Sequence, residues 1–406
     1  MFISHAVGVC GSEQALYSLL KGLDRDRFEP IVAVPSQGPL RQRLSEIGVK
    51  TFISPVMIWM PLKQMPFFLF ILKYYILLPW RIIKIAYLMR REEIDLVFSN
   101  ELLLLEGGIA ARLMRLPHIY HVHNAFFSTY FRTYLPVGFI KWLTLKLADR
   151  MIFVSQRQMQ ELFDNTGQEN KFKVATQGFD TQYFAPDLER DITWRRKTGI
   201  SENSPLVVLI AASAKNKGQE DFLQAASIVR ESLPDTQFAI IGGGDKRYLK
   251  ELNDLALRLG LEDDVFFVDF MEDIAPVYGS LDVLVCASLK ETFGRTIVEA
   301  MLAGKPVVST KCGGPEEIVI DGVTGLLVSP KAPQELAGAI LTILRDGDLA
   351  QKMGRSGREK AERCYSMQSY ARNIQDFIEE CVCEHRTKKH RNRSSGMDRE
   401  KKLERK

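Results

Sequence analysis

Cysteine is scarce in this 406-residue chain: Cys10, Cys286, Cys312, Cys364, Cys381 and Cys383 are too few and too scattered for a disulfide scaffold. Only Cys381 and Cys383 lie close together, and C-x-C without a second cysteine pair makes a poor zinc site. The opening MFISHAVGVCGSE has no charged stretch leading into an apolar one, so no signal peptide is read and a reducing, cytoplasmic address is expected. No G-x-G-x-x-G fingerprint is present at Gly242-Gly243-Gly244, because Arg247 stands where the third glycine belongs. In the most apolar stretch, the uninterrupted run Met65–Leu72 falls far short of the roughly 20 residues that a membrane span needs.

Acidic residues are missing altogether between Glu46 and Glu92, where seven bases remain: Lys50, Lys63, Lys73, Arg81, Lys84, Arg90 and Arg91. Within this gap lies MPFFLFILKYYILLPWRIIKIAYLMRR. Rings and aliphatics mixed with bases, and no acids, suit a helix lying in a membrane interface, with apolar groups at the acyl boundary and cations on phosphate. Pro79 is expected to end one helix and start the next. A second aromatic stretch after His123 carries Phe126, Phe127, Tyr130, Phe131, Tyr134, Phe139 and Trp142, which extends either that surface or the core. Peripheral membrane contact through residues 47–91 is therefore expected.

What is present is otherwise ordinary. The apolar and charged fractions, 46% and 26%, are those of a soluble globular chain, and the length allows two or three domains. The net charge of +4 is uneven, since residues 385–406 hold ten Lys or Arg against three Asp or Glu and leave the body slightly acidic. That segment is almost free of apolar residues and reads as a disordered basic tail. It has no aromatic platform for stacking bases, so no nucleic-acid partner is read.

Short apolar runs alternate with amphipathic stretches. Strands are expected at 30–34, 95–99, 118–122, 150–155, 206–212, 237–242, 265–270, 282–288 and 305–310. Continuous apolar strands separated by helices indicate parallel sheets covered on both faces, whose ligands bind beyond the carboxyl ends of the strands. The alternation lapses in the turn-rich stretch Gln177–Asp191 and then restarts. Domains are thus expected over 1–180 and 181–365, with 366–384 packing back on the first.

The most informative stretch is KETFGRTIVEAMLAGKPVVSTKCGGPEEIVIDGVTGLLVSP, residues 290–330. A strand ends, a loop with Gly294 follows, and a helix starts, leaving backbone N–H groups free for phosphate or sugar hydroxyls. Glu291 and Glu299 flank this turn and can both face one cleft as acceptors for vicinal diols. Asp24-Arg25-Asp26 imitates a metal-binding D-x-D but sits in a charged connection and reads as solvated; His118 and His121 read as structural or surface groups.

Taken together, Glu291-x7-Glu299, Glu299-Ala300-Met301, Gly304-Lys305-Pro306-Val307-Val308, Gly313-Gly314, Glu317-Ile318 and Asp321-Gly322-x-Thr324-Gly325 resemble, in order and spacing, the hallmark of the group 1 (family 4) glycosyltransferases. Gly11-Ser12-Glu13, His123 after Leu116-Pro117, Gln177-Gly178-Phe179-Asp180 and Lys217-Gly218 are similar to further family segments. The resemblance implies an α/β GT-B fold, two Rossmann-like parallel-sheet domains facing across a cleft, with the acceptor on the first and the nucleotide sugar on the second. It implies a retaining, metal-independent transferase using a UDP- or GDP-sugar and no other cofactor. By the same resemblance Glu299 would bind the ribose, and Glu291 the donor sugar. Phe293, Gly294 and Arg295 would form the loop meeting that sugar, Lys217 would neutralise the diphosphate, and His123 would lie near the reacting face. Gly11 would belong to the small-residue turn after the first strand. The family's arginine before K-G is replaced by Ala211 and Ala212, a gap Lys215 or Arg295 could fill as nearby cations. With the basic, ring-rich first half, the implied acceptor is a glycan on a lipid carrier, met at the inner face of the cell membrane. The alternatives are an inactive GT-B partner subunit and a GT-B nucleotide-sugar epimerase; a phosphorylase would need a longer chain.

Overall fold

The computed structural model describes residues 1–8, 10–60, 66–124, 135–164, 166–185 and 192–403. Lys63, Met65 and the rings Phe126, Phe127, Tyr130, Phe131 and Tyr134 lie outside the described residues. The chain forms two compact units, Met1–Gly178 with Gln368–Lys406, and Phe179–Met367.

The first unit holds seven strands: β1 (Phe2–Ile3), β2 (Ile31–Val34), β3 (Lys50–Ile53), β4 (Val97–Ser99), β5 (His118–Val122), β6 (Arg150–Phe153) and β7 (Phe172–Val174). They pair in the order β3-β2-β1-β4-β5-β6-β7, all parallel. The second unit holds β8 (Leu206–Ile210), β9 (Gln237–Ile241), β10 (Val265–Val268), β11 (Val283–Cys286), β12 (Val307–Thr310) and β13 (Leu326–Val328), ordered β10-β9-β8-β11-β12-β13 and again parallel. These are the two α/β parallel-sheet domains that the alternation of strands and helices indicated. β5 and β6, and β8 and β11, are buried along nearly their whole length, which is why they read as unbroken apolar runs. Apart from the two-residue β1, placed before Gly11 by the resemblance alone, the strands that no expected run announced are β3, β7 and β13, each at the edge of its sheet and partly exposed.

Each sheet reverses its winding once, between β1 and β4 and between β8 and β11. The final helix, Met367–Leu403, contributes Tyr370, Ala371, Ile374, Phe377, Ile378 and Cys381 to the first unit's core. It continues through residues 385–403, where the composition led to an expectation of disorder. The segment has no proline, and its first turn is tied down: Arg386 donates to Asp95 at 3.1 Å and His385 Nε2 lies 3.0 Å from the Arg115 carbonyl.

The apolar stretch within the acid-free segment forms one helix, Phe67–Arg91, with Pro79 inside it rather than at a break. Proline at 79 removes the amide that would bond the Tyr75 carbonyl, but both residues are exposed, so water can satisfy that oxygen. One face packs inward through Phe70, Tyr74, Ile82, Ile85, Leu88 and Met89. Arg81 lies on the same face, which corrects its expected place among the interfacial cations. Its Nη1 is 3.1 Å from Glu106 Oε1, its Nη2 donates to the Tyr74 carbonyl at 2.6 Å, and its guanidinium sits 4.5 Å over the Tyr74 ring. Burial outweighs the attraction of Arg81 and holds the Glu106 carboxyl up to about 7. Truncating Arg81 to Ala is expected to destabilise the first unit by ~1–3 kcal/mol, because the Glu106 carboxyl would be left buried without its partner. Arg81→Met with Glu106→Leu should recover most of that loss. Urea unfolding of the two variants and the wild type checks this, and equal losses in the single and double variants would contradict it.

Candidate active site

In the second unit the loops after β8, β9, β11 and β12 gather at the carboxyl edge of the sheet. After β8 the chain makes a short 3-10 turn, Lys215–Lys217, and enters the helix Gln219–Ser232 through Gly218. Gly218 has φ +68°, and a Cβ there would lie 1.9 Å from the Ala287 carbonyl oxygen. Only glycine lets the β8 loop approach the end of β11 this closely. The consequence is chemical: Lys217 Nζ reaches Glu291 Oε2 at 2.6 Å, an ion pair spanning the β8/β11 reversal with both side chains about one-fifth exposed.

Glu291 is fixed through its backbone as well. Its N–H donates to the Cys312 carbonyl at 3.0 Å, and the Gly314 N–H donates to the Glu291 carbonyl at 2.9 Å. A Cβ on Gly314 would come within 2.5 Å of Phe293 Cα, so the β12 loop is built to lie against the β11 loop. Gly294, at φ +108°, caps the helix Arg295–Leu302. Phe293 is buried, stacked on Phe179 with centroids 6.3 Å apart and edge-on to Tyr365 at 5.8 Å.

Glu299 lies inside that helix and is 7% exposed. Tyr278 Oη donates to its Oε2 at 2.8 Å, and Arg295 Nη2 lies 3.4 Å from its Oε1. Arg295 also sits 4.4 Å over the Phe179 ring. The two carboxylates thus have separate cationic partners, Lys217 for Glu291 and Arg295 for Glu299. Lys215 joins neither, since its ammonium is 3.4 Å from Glu251 and largely exposed. At Ala212, where the resemblance would place an arginine, the carbonyl accepts from Gln219 Nε2 at 2.9 Å. Tyr278 went unnoticed in the sequence; it stands in a short helix, Ala275–Ser280, with no motif around it.

The first unit has its own cluster at the β1/β4 reversal. Gly11 is the first residue of the helix Gly11–Lys21, Ser12 Oγ donates to Glu13 Oε1 at 2.8 Å, and Asn100 Nδ2 donates to the Ser12 carbonyl at 3.0 Å. His123 is buried, with Nε2 at 3.0 Å from Asn100 Oδ1 and Nδ1 at 3.3 Å from Gln177 Nε2. Glu101 accepts from Asn124 Nδ2 and from the Leu102 N–H, both at 2.8 Å. Burial, with the Glu13 carboxyl nearby, pushes Glu101 up to about 8. His118 is buried between Ser99 Oγ and the Leu147 carbonyl, each 2.9 Å away, and burial holds it down to about 4; His121, wholly buried, is held to about 3. Asp24 caps its own exposed turn by accepting from the Asp26 N–H at 3.0 Å. Among the described residues no group of three or more His, Cys, Asp or Glu is placed to hold a metal ion.

Two family models match the chain: "Glycosyltransferase Family 4" over residues 9–183 and "Glycosyl transferases group 1" over residues 191–360. The chain is similar to a D-inositol 3-phosphate glycosyltransferase of Corynebacterium kroppenstedtii, 29% identical over 58% of this chain and 54% of that protein. It is also similar to a GDP-mannose-dependent alpha-(1-6)-phosphatidylinositol monomannoside mannosyltransferase of Mycolicibacterium smegmatis, 31% identical over 53% of this chain and 58% of that one. The matched regions thus span little more than half the length of these relatives. Among solved structures, HepE of Anabaena, crystallised with UDP and glucose, superposes with a TM-score of 0.78 at 25% identity, covering 93% of this chain and 98% of HepE.

The buried titratable groups set how the first unit responds to pH. His118 and His121 are neutral when folded and take up protons on unfolding below about 6.5, so stability falls as pH drops from there. Glu101 and Glu106 are protonated when folded and release protons on unfolding above about 4.5, so stability falls as pH rises from there through 7 and 8. Between about 4.5 and 6.5 the two effects oppose one another. Urea midpoints from pH 4 to 9 are expected to show a plateau with a loss on each side, and Glu101→Gln should flatten the alkaline loss. An alkaline limb unchanged by that substitution would contradict the assignment.

Proposed function

Because the chain belongs to the group 1 glycosyltransferases, we propose that it transfers a sugar from a UDP- or GDP-sugar to an acceptor hydroxyl, with retention of anomeric configuration and without a metal. The observation that carries this is the Lys217–Glu291 pair across the β8/β11 reversal, beside the Gly294-capped helix that bears Glu299. Lys217 and the helix start supply positive charge where the leaving diphosphate accumulates negative charge. Glu299, between Tyr278 and Arg295, accepts from the ribose hydroxyls, and Glu291 from the donor sugar. Phe293 holds the loop of Gly294 and Arg295 in place for that sugar, and His123 is the candidate group at its reacting face. No separate cofactor is invoked.

The expected outcomes are specific. Glu299→Gln should weaken donor binding by about tenfold or more, the loss expected when a charged hydrogen-bond acceptor is removed, while Glu291→Gln should lower turnover more than binding. Calorimetry against UDP and GDP, and turnover of a panel of their sugars, read the two effects. Transfer should persist in excess chelator. Wild-type activity in both variants would refute the site, and an absolute need for manganese or magnesium would refute the charge assignment.

For the acceptor, we infer a glycan on a lipid carrier, met by a protein lying on the anionic cytoplasmic leaflet. The outer face of the helix Phe67–Arg91 supports this reading. Phe68, Leu72, Ile76, Trp80, Ile83 and Tyr87 recur every three or four residues and are exposed, Phe68 by 75% and Ile83 by 67%. Phe139 and Trp142 are exposed on the helix Val137–Leu147. Lys50 and Arg91 pair with Glu92, but among the described residues Lys73, Lys84 and Arg90 form no ion pair. No described helix is long and apolar enough to cross a membrane, so the face would lie on the surface. The relatives named for inositol phosphate and phosphatidylinositol mannoside substrates agree with a lipid or headgroup acceptor.

The protein should bind phosphatidylglycerol vesicles at low salt and leave them as salt rises, since each base near such a surface adds about 1 kcal/mol. Lys73→Glu, Lys84→Glu and Arg90→Glu together should abolish binding without altering donor affinity, in the full chain and in one ending before His385. A chain ending there that ignores the vesicles would overturn the interfacial reading.

A further inference from the structure

Asn100 and Glu101 follow β4 directly and carry no motif, yet each grips one of the two residues that follow β5. Asn100 Oδ1 lies 3.0 Å from His123 Nε2, and Glu101 Oε2 accepts from Asn124 Nδ2 at 2.8 Å. The orientation of the Asn100 amide is settled by its other contact. Its Nδ2 donates to the Ser12 carbonyl, which can only accept, so the amide oxygen must face the histidine. That oxygen can in turn only accept, which places the hydrogen of a neutral His123 ring on Nε2. Nδ1 is then the lone-pair nitrogen, and Gln177 Nε2 donates to it at 3.3 Å.

The neighbours reinforce this choice. The His121 ring lies 4.0 Å from the His123 ring, centroid to centroid, and neither His121 nitrogen has a hydrogen-bond partner among the described residues. His121 therefore packs against His123 as a neutral plate. His123 is 5% exposed, so a ring flip would break both bonds with little water to replace them.

We propose that Asn100 and Glu101 are positioning residues for the transfer, Asn100 by fixing the Nε2–H tautomer and ring plane of His123, and Glu101 by fixing Asn124 beside it. This rests on the reading that His123 meets the donor sugar. A side chain at the reacting face is effective only when its orientation is settled before the substrate arrives, and misplacement of such a group costs rate more than affinity. Asn100 also ties the β4 end to the first turn of the helix that follows β1, so the ends of β4 and β5 are held beside it.

The test separates the tautomer from its use. Long-range proton–nitrogen spectra of the full chain with nitrogen-15 histidine should show His123 protonated at Nε2. Asn100→Ala should lose that preference. Asn100→Asp, which keeps an acceptor towards Nε2 but loses the donor to Ser12, should retain it and also serves if the alanine variant folds poorly. With the UDP- or GDP-sugar that the panel identifies, Asn100→Ala should lower kcat by about tenfold or more with donor KM within about twofold, and Asn100→Asp should recover part of the loss. Glu101→Gln should lower kcat in the same way without changing the His123 tautomer. An unchanged tautomer in Asn100→Ala overturns the assignment. A shifted tautomer with wild-type turnover overturns the positioning role and, with it, the contact of His123 with donor, while leaving the Lys217 and Glu299 site standing.

Discussion

A parallel sheet opens a crevice for polar groups at the carboxyl ends of its strands where its winding reverses, because there the connections from neighbouring strands leave to opposite faces. Both sheets here reverse once, and the contacts of greatest chemical consequence lie across those two places. At β8/β11 the contact is ionic, Lys217 to Glu291. At β1/β4 it is neutral, Asn100 to the Ser12 carbonyl, and it passes through His123 to Gln177. The same topological event thus produces a charged cluster in one unit and a chain of neutral hydrogen bonds in the other. That division suits the proposed chemistry, in which a diphosphate needs cations and a sugar needs oriented donors and acceptors.

Holding such groups under cover demands that each be answered. Glu299, almost without water, has Tyr278 and Arg295. Glu101 has Asn124 and a backbone amide, and burial keeps it protonated near neutral pH rather than charged beside Glu13. His121 is an exception, buried with both ring nitrogens unanswered among the described residues. Leaving such a group unsatisfied costs roughly 1–3 kcal/mol, and its position against His123 is the plainest reason for a fold to tolerate it. Glycine does the complementary work in the second unit, since Gly218 and Gly314 bring loops from neighbouring strands into backbone contact and leave the polar side chains to face outward.

The legibility of these features in the sequence followed the range of the physics behind them. Central strands such as β5, β8 and β11 read clearly because burial on both faces leaves an unbroken apolar run. β3, β7 and β13 did not, because these edge strands are only three or four residues long and mostly half-buried or exposed. Glu291, Glu299 and Gly294 stood out because one strand-to-helix turn places them together. Tyr278 and Asn100 did not, because their partners lie 21 and 23 residues away and only pairing of strands and helices brings them near. Pro79 misled for a local reason, since a proline whose freed carbonyl faces solvent need not end a helix. Arg81 misled for a tertiary one, since nothing in the acid-free segment indicates that Glu106, on another helix, draws one of its cations inward.

That single inward cation also accounts for the orientation of the helix around it. The helix Phe67–Arg91 is apolar on nearly every side, so hydrophobicity alone does not decide which stripe faces the core. Rolling it would bury some of the rings now exposed and gain ~1.5–3 kcal/mol for each large side chain fully covered. It would also withdraw Arg81 from Glu106, leaving that carboxyl buried without its partner at a cost of ~1–3 kcal/mol. The contact is therefore strong enough to offset the burial of about one ring, and it favours the roll that leaves the stripe from Phe68 to Tyr87 in solvent. In water alone that arrangement is wasteful. It becomes favourable against a surface that accepts rings and cations together, and the buried pair then acts as the pin that presents them.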